Sequence, residues 1–183
     1  MVAPRPAAFR LVVALWALAL LPAGSARAAG PAPAPPPPVA WRDPNAALNE
    51  ARRDKKPVLI DIEVTWSGWC TRMQRTTYAD PGVRGDIARS FVAARLDAED
   101  DARRVFYDGR TLSHRVFADR FKVATYPTTV FLAPDGTPIT RVPGYVAPAR
   151  FRTLLRYVAE GRYRTTTWEE FAGPAPESDE DAP

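Results

Sequence analysis

The chain has 183 residues and a formal net charge of +4, with 25 lysines and arginines against 21 acidic residues. Basic and acidic side chains are interspersed from Arg42 onward without a one-sided basic face, so the sequence predicts no nucleic-acid partner. One histidine, one cysteine and two methionines are too few soft ligands for a metal site, and we predict neither a metal nor another cofactor.

The N-terminal segment has the pattern of a secretory signal. Arg5 and Arg10 precede an apolar run over residues 11–21, and small residues follow through Ala28. We predict a signal peptide over 1–28 that is cleaved near Ala28. The apolar run is shorter than the roughly 20 residues that cross a bilayer, so no stable membrane span is expected after cleavage. The predicted location is exported, periplasmic or extracellular.

Two segments of biased composition enclose one predicted domain. Residues 29–39 are almost entirely proline and alanine, which is typical of an extended tether. Residues 173–183 are acidic and lack large apolar side chains, which predicts a solvated tail. The intervening residues 40–172 have the length of one compact domain, and we predict a monomer.

The first half of this domain alternates helix and strand signals. Asp43 and Pro44 begin a helix, and the nearly continuous apolar run 58–64 predicts a central strand that is covered on both faces. Asp80 and Pro81 begin a second helix, and residues 91–96 predict a second strand.

The second half predicts a hairpin between helices. A polar stretch leads to a helix that contains Leu112, Val116 and Phe117, and a strand follows over 125–132. The turn at 134–136 and a returning strand over 139–142 indicate an antiparallel hairpin. A helix from Pro148 and a capping box over 167–170 complete the domain. This order predicts an α/β fold with a central mixed sheet, flanking helices, and a C-terminal β-hairpin plus helix.

A short segment after the central strand is the most informative part of the chain. It reads Trp66-Ser67-Gly68-Trp69-Cys70, and Cys70 is the single cysteine. No internal disulfide can therefore form, and an oxidised state must be intermolecular or a small-thiol adduct. A serine hydroxyl stays protonated near neutral pH and cannot replace a thiolate that attacks a disulfide.

Five motifs, in order and at suitable spacing over about residues 40–160, resemble the thioredoxin superfamily. The resemblance is greatest to exported members such as the C-terminal domain of the disulfide reductase DsbD and SoxW-type thioredoxins, with SGWC in place of Cys-x-x-Cys. The motifs are KPVLID at 56–61, WSGWCTRM at 66–73, DPGV at 80–83, YPT at 126–128 and PDG at 134–136.

The resemblance implies a thioredoxin fold and roles for three candidate catalytic residues. It puts Ser67 at the position of the attacking cysteine and Cys70 at that of the resolving cysteine. Asp61 matches the buried carboxylate that helps to move the proton of the resolving cysteine. From the residues alone, Asp61 could instead pair with Lys56 or an arginine, and Cys70 could be a buried, inert thiol.

The resemblance also implies a groove for an extended client. It makes Pro127 the cis-proline of the family, with Tyr126 and Thr128 beside it, and Trp66 and Trp69 flank the site as further candidate substrate-binding residues. We expect Trp69 to be exposed and Trp66 to belong to the framework. His114, the single histidine, is expected on a helix surface.

Two functions fit these features. The first is thiol–disulfide exchange that uses Cys70 as a monothiol, with a protein or other thiol- or disulfide-bearing client. The second is a redox-inactive binding or chaperone-like module that uses the cis-proline groove. Whether the chain is an enzyme depends on the reactivity of Cys70, and an engineered origin of Ser67 is a third possibility.

Overall fold

The structure, a computed structural model, describes Met1 and residues 35–174. The predicted signal peptide, most of the tether and nearly all of the acidic tail fall outside the described residues, so those boundaries stay predictions. No helix in the described part is long and apolar enough to span a membrane.

Residues 35–174 form α-helices, β-strands and one 3₁₀ turn at Arg162–Arg164. The elements in chain order are α1 (Pro44–Asp54), β1 (Val58–Glu63), α2 (Gly68–Arg75), α3 (Pro81–Ser90), β2 (Val92–Asp97), β3 (Arg104–Tyr107), β4 (Arg110–Ser113), α4 (His114–Arg120), β5 (Thr128–Leu132), β6 (Pro138–Pro143), α5 (Pro148–Ala159) and α6 (Trp168–Ala172).

The main sheet has four strands in the order β2-β1-β5-β6. Strands β1 and β2 are parallel, whereas β5 is antiparallel to both β1 and β6. The sheet is therefore mixed, and it ends in the predicted hairpin and helix. The predicted fold class is confirmed.

Helix starts are fixed by side chains that the sequence makes visible. Asp43, Ser67, Asp80 and Thr167 each accept a hydrogen bond from a backbone N–H in the first turn of the helix that follows. These bonds satisfy donors that a helix cannot pair internally. The predicted capping box is present, because the side chain of Glu170 also accepts from the backbone N–H of Thr167.

Strand β1 contributes to a hydrophobic core on each face of the sheet, because successive side chains of a strand point to opposite sides. Val58, Ile60 and Ile62 belong to the core that also contains Leu48 and Phe117. Leu59 belongs to the other core, which is formed with Met73, Phe131 and Phe151. Burial on both faces explains the nearly continuous apolar run. The same alternation puts Asp61 on the face of Leu59.

A short hairpin that the sequence reading missed precedes α4. Leu112 lies in β4 and pairs with Val105 of β3, so its predicted place in a helix is wrong. Asp108 and Gly109 connect the two strands and both have positive φ angles, 53° and 72°. This geometry is that of a tight type I′ turn, for which Asp-Gly is a typical sequence. The strands have four residues each, too short for a clear alternating pattern.

The first residue of α4, His114, is fully buried, and its expected place on a helix surface is wrong. Neither ring nitrogen has a hydrogen-bond partner in the described part of the chain. Burial lowers the pKa of His114 below 6.5, and Arg103 lowers it further, whereas Asp100 and Asp43 act in the opposite direction. The folded protein therefore favours the neutral imidazole.

Acid is expected to destabilise the fold through His114. Because its pKa is lower in the folded state, its contribution to stability is complete above pH 6.5 and is lost as the pH falls through the folded-state value. Replacement His114→Leu should remove this loss. Urea unfolding of the native protein and the variant between pH 7.5 and pH 5 measures the difference, and parallel curves for the two proteins would contradict the assignment.

Candidate functional site

The loop between β1 and α2 places Ser67 at the N-cap of α2. The Ser67 hydroxyl oxygen accepts a hydrogen bond from the Cys70 backbone N–H at 3.3 Å, and the hydroxyl donates to the Tyr126 carbonyl at 3.4 Å. Ser67 thus connects α2 to the loop before β5. This side chain therefore has two structural roles: it caps α2, and it holds the start of that helix against the loop before β5.

Cys70 lies inside the first turn of α2 and is 3% exposed. Burial raises the pKa of its thiol, and the charges of Asp61 and Glu63 raise it further. Hydrogen bonds with the Ser67 side chain and the Val64 backbone act in the opposite direction. The net result is a protected thiol with less thiolate than an ordinary cysteine, so the structure favours the buried form of Cys70 over an openly reactive one.

Asp61 is buried in the middle of the sheet and forms an ion pair with Arg95 at 3.0 Å. This pair satisfies the Oδ2 atom, whereas Oδ1 has no hydrogen-bond partner among the described residues. Burial raises the pKa of Asp61 to about 6, against the lowering effect of Arg95. The carboxyl group can therefore gain or lose a proton near neutral pH, as a proton acceptor must.

Sequence reasoning did not identify Arg95 as the partner of Asp61. The two residues are directly paired in the parallel register of β1 and β2. Arg95 also lies 3.6 Å from Glu63, and its guanidinium stacks on the Trp41 ring at 4.1 Å. The Glu63 carboxylate also accepts a hydrogen bond from the side-chain amide of Gln74. The sequence does contain Arg95 inside the second predicted strand. Recognising it as the partner of Asp61 requires the register between β1 and β2.

A groove of about 710 Å³ opens next to Ser67. It is formed by the start of α2 together with the loops after β1, before β5 and after β6. Its lining residues are Trp66, Ser67, Trp69, Ala124, Thr125, Tyr126, Pro143, Gly144 and Tyr145. The predicted site residues Trp66, Ser67, Trp69 and Tyr126 thus come together around one opening.

Aromatic rings form two pairs on the groove. Trp66 packs edge-on against Tyr126 with centroids 6.2 Å apart, and Trp69 lies 5.8 Å from Tyr145. Trp69 is 49% exposed, as expected, but Trp66 is 69% exposed and its expected framework role is wrong. The Arg72 guanidinium lies over both Trp69 and Tyr145 and supports that pair from α2.

The residues after Tyr126 are buried beneath the groove. The Tyr126–Pro127 peptide bond is cis, and the Pro127 carbonyl accepts a hydrogen bond from the Gly144 N–H at 2.8 Å. Thr128 is fully buried and donates its hydroxyl proton to the Thr125 carbonyl. The Thr128 side chain cannot contact a client directly, so it supports the loop from below.

A family model described as a thioredoxin-like domain matches residues 44–159. The chain belongs to this thioredoxin-like family. The match spans α1 to α5 and includes Asp61, Ser67, Cys70 and Pro127. In this thioredoxin-like domain, the groove lies at the carboxyl end of β1, where open α/β sheets commonly place their sites.

Three solved structures share the fold of this chain. One is a candidate disulphide isomerase from Bacteroides thetaiotaomicron, 26% identical with a TM-score of 0.53, over 73% of this chain and 100% of that one. A thioredoxin from Thermus thermophilus is 24% identical with a TM-score of 0.57, and the match covers 72% of this chain and 99% of that one. A DsbH oxidoreductase is 16% identical with a TM-score of 0.56, and the match covers 69% of this chain and 88% of that one. A comparison with curated proteins gives no match.

Proposed function

We propose that this chain is an exported thioredoxin-fold protein linked to thiol–disulfide exchange, which binds extended client segments in the groove beside Ser67. The observation that carries the proposal is an open aromatic groove next to a site whose single thiol is buried. Binding requires the groove alone, whereas autonomous disulfide reduction requires two thiols. The proposed clients are proteins that carry thiols or disulfides.

The groove has the features of a contact surface for a peptide. Trp66 and Trp69 present large apolar faces to solvent on either side of Ser67. Aromatic side chains of this kind supply much of the energy in binding sites. The names of two solved relatives, a DsbH oxidoreductase and a candidate disulphide isomerase, support a client with thiol or disulfide groups.

Replacement of Trp69 by alanine is expected to weaken client binding about fivefold, because an aromatic contact of this kind contributes roughly 1 kcal/mol. The measurement is fluorescence titration with a proline-free, cysteine-bearing peptide. Phe106 is a matched control, because it is also an exposed aromatic residue but lies on β3, outside the groove. Equal affinities of Trp69→Ala and Phe106→Ala would contradict the proposal.

Exchange through Cys70 alone is the second candidate function. Asp61, with a pKa of about 6, influences Cys70 electrostatically and could accept its proton. The Cys70 thiolate would then attack a client disulfide, form one mixed S–S bond and release the other client sulfur as a thiolate. A second thiol, from glutathione or a partner protein, would have to resolve this intermediate.

Alkylation of Cys70 distinguishes the two candidates. We expect iodoacetamide to modify Cys70 in the native protein at least about a hundredfold more slowly than in urea-unfolded protein, because the thiol is buried and has a raised pKa. Mass spectrometry follows the adduct over time. A native rate close to the unfolded rate would instead support the monothiol function.

A further inference from the structure

The two sides of the groove carry opposite charges. The Trp69–Tyr145 pair forms one side and the Trp66–Tyr126 pair forms the other. The rings themselves are apolar, so contact with them alone does not select among extended clients. Charged side chains next to each pair can make that selection, because a client that lies across both pairs meets both charges.

Arg72 of α2 gives the Trp69–Tyr145 side a positive charge. Its guanidinium carbon lies 4.7 Å from the centre of the Tyr145 ring and 5.2 Å from that of the Trp69 ring. Its N–H groups have no hydrogen-bond acceptor, and it forms no ion pair, within residues 35–174. A guanidinium that is held against aromatic faces keeps a fixed fork of N–H donors, which fits a carboxylate. This side is therefore complementary to an acidic side chain of a client.

Carboxylates give the Trp66–Tyr126 side a negative charge. Three of them, from the end of β2, the loop after it and α4, form no ion pair in the part of the chain that the structure describes: Asp97, Glu99 and Asp119. Burial raises the pKa of Tyr126, and the charges of these three carboxylates raise it further, so they lie near this ring. Arg115 acts in the opposite direction, but its charge is already paired with Asp101 at 3.0 Å. This side therefore favours a basic side chain of a client.

We propose that the groove selects extended client segments of mixed charge, which place an acidic side chain against Arg72 and a basic side chain beside Tyr126. The inference rests on the proposed function of the groove and narrows its client class. A segment with acidic side chains at both ends is attracted by Arg72 and repelled on the other side, and a segment with two basic ends meets the reverse. Charge thus determines both which clients bind and in which direction they lie.

The test is a fluorescence titration of the native protein with five peptides of one length, each proline-free and with a central cysteine. The neutral peptide has glutamine near both ends. Two mixed peptides have glutamate near one end and lysine near the other, in the two possible orders, and the last two have glutamate or lysine near both ends. At low ionic strength we expect the tighter mixed peptide to bind about tenfold more tightly than the neutral peptide. The peptides of a single charge sign should show no comparable gain, and added salt should reduce the gain of the mixed peptide.

A charge reversal identifies the residue responsible. Arg72→Glu makes both sides negative, so the peptide with two lysines should become the tightest and the mixed peptides should lose their advantage. Affinity for the neutral peptide measures any change in the aromatic surface separately. Arg53→Glu is the matched control, because Arg53 is exposed near the end of α1, ahead of the start of β1, whereas the groove follows the end of that strand. It should keep the peptide preference of the native protein.

Equal affinities of the native protein for the neutral peptide and both mixed peptides would overturn the inference, and so would a preference that Arg72→Glu leaves unchanged. These failures differ from failure of the proposed function, which predicts binding of the neutral peptide through the aromatic rings alone. If the neutral peptide binds and charge has no effect, only the mixed-charge proposal fails. If none of the five peptides binds, both proposals fail.

Discussion

The substitution Ser67→Cys is expected to give the chain a complete disulfide reductase cycle. The new thiol would lie at the N-cap of α2, where the helix N-terminus favours a thiolate. Cys70 follows one turn later and can resolve the mixed disulfide. We expect insulin reduction with dithiothreitol to accelerate at least about tenfold over the native protein, because two thiols replace one.

Two control variants make this result specific. Ser67→Ala removes the same hydroxyl without adding sulfur, so it should stay at the native rate. The double variant Ser67→Cys, Cys70→Ser keeps an attacking thiol without a resolving one and should accumulate a mixed disulfide with insulin. An inactive Ser67→Cys protein that is folded would show that the site has diverged beyond this position.

The substitution Asp61→Asn is expected to stabilise the protein at pH 8 by about 3 kcal/mol, since a pKa raised from 3.8 to about 6 corresponds to this energy. A pKa that is raised by folding stabilises the native state below pH 3.8, and that contribution is lost as the pH rises through 6. The asparagine variant has no such dependence. Its advantage should therefore be large at pH 8 and small at pH 4.

Guanidinium unfolding at both pH values measures this effect. Asp119→Asn is a suitable control, because Asp119 is exposed and forms no ion pair in the described part of the chain. It should change stability little at either pH. A similar gain for Asp61→Asn at pH 4 and pH 8, or a loss at pH 8, would show that burial of the charge is not the dominant effect.

The sequence predicts the fold well where apolar patterns and caps are strong. The run 58–64 indicates a central strand, and Asp43, Asp80 and Thr167 mark helix starts that the structure contains. Prediction from the sequence misses the β3–β4 hairpin, because its strands are too short for a periodic signal. It also fails at His114, because burial of a lone polar ring depends on tertiary packing.

The sequence identifies the residues of the candidate site better than it predicts which of them are exposed. The resemblance to the thioredoxin superfamily points to Ser67, Cys70 and Asp61, but the burial of Cys70 and the exposure of Trp66 follow from how the loops pack. Arg95 is unpredictable without the β1–β2 register, since it lies 34 residues from Asp61 in the chain. Local patterns indicate which residues matter, and long-range pairing decides their charge and accessibility.

The hydroxyl that caps α2 also affects how a client leaves. A thioredoxin with an attacking cysteine can become covalently joined to its client, so release depends on the redox potential of the compartment. Under the proposed binding function, with Ser67 in that position and Cys70 shielded, the groove of this protein holds a client reversibly. Occupancy should then follow client concentration and remain the same in oxidising and reducing surroundings.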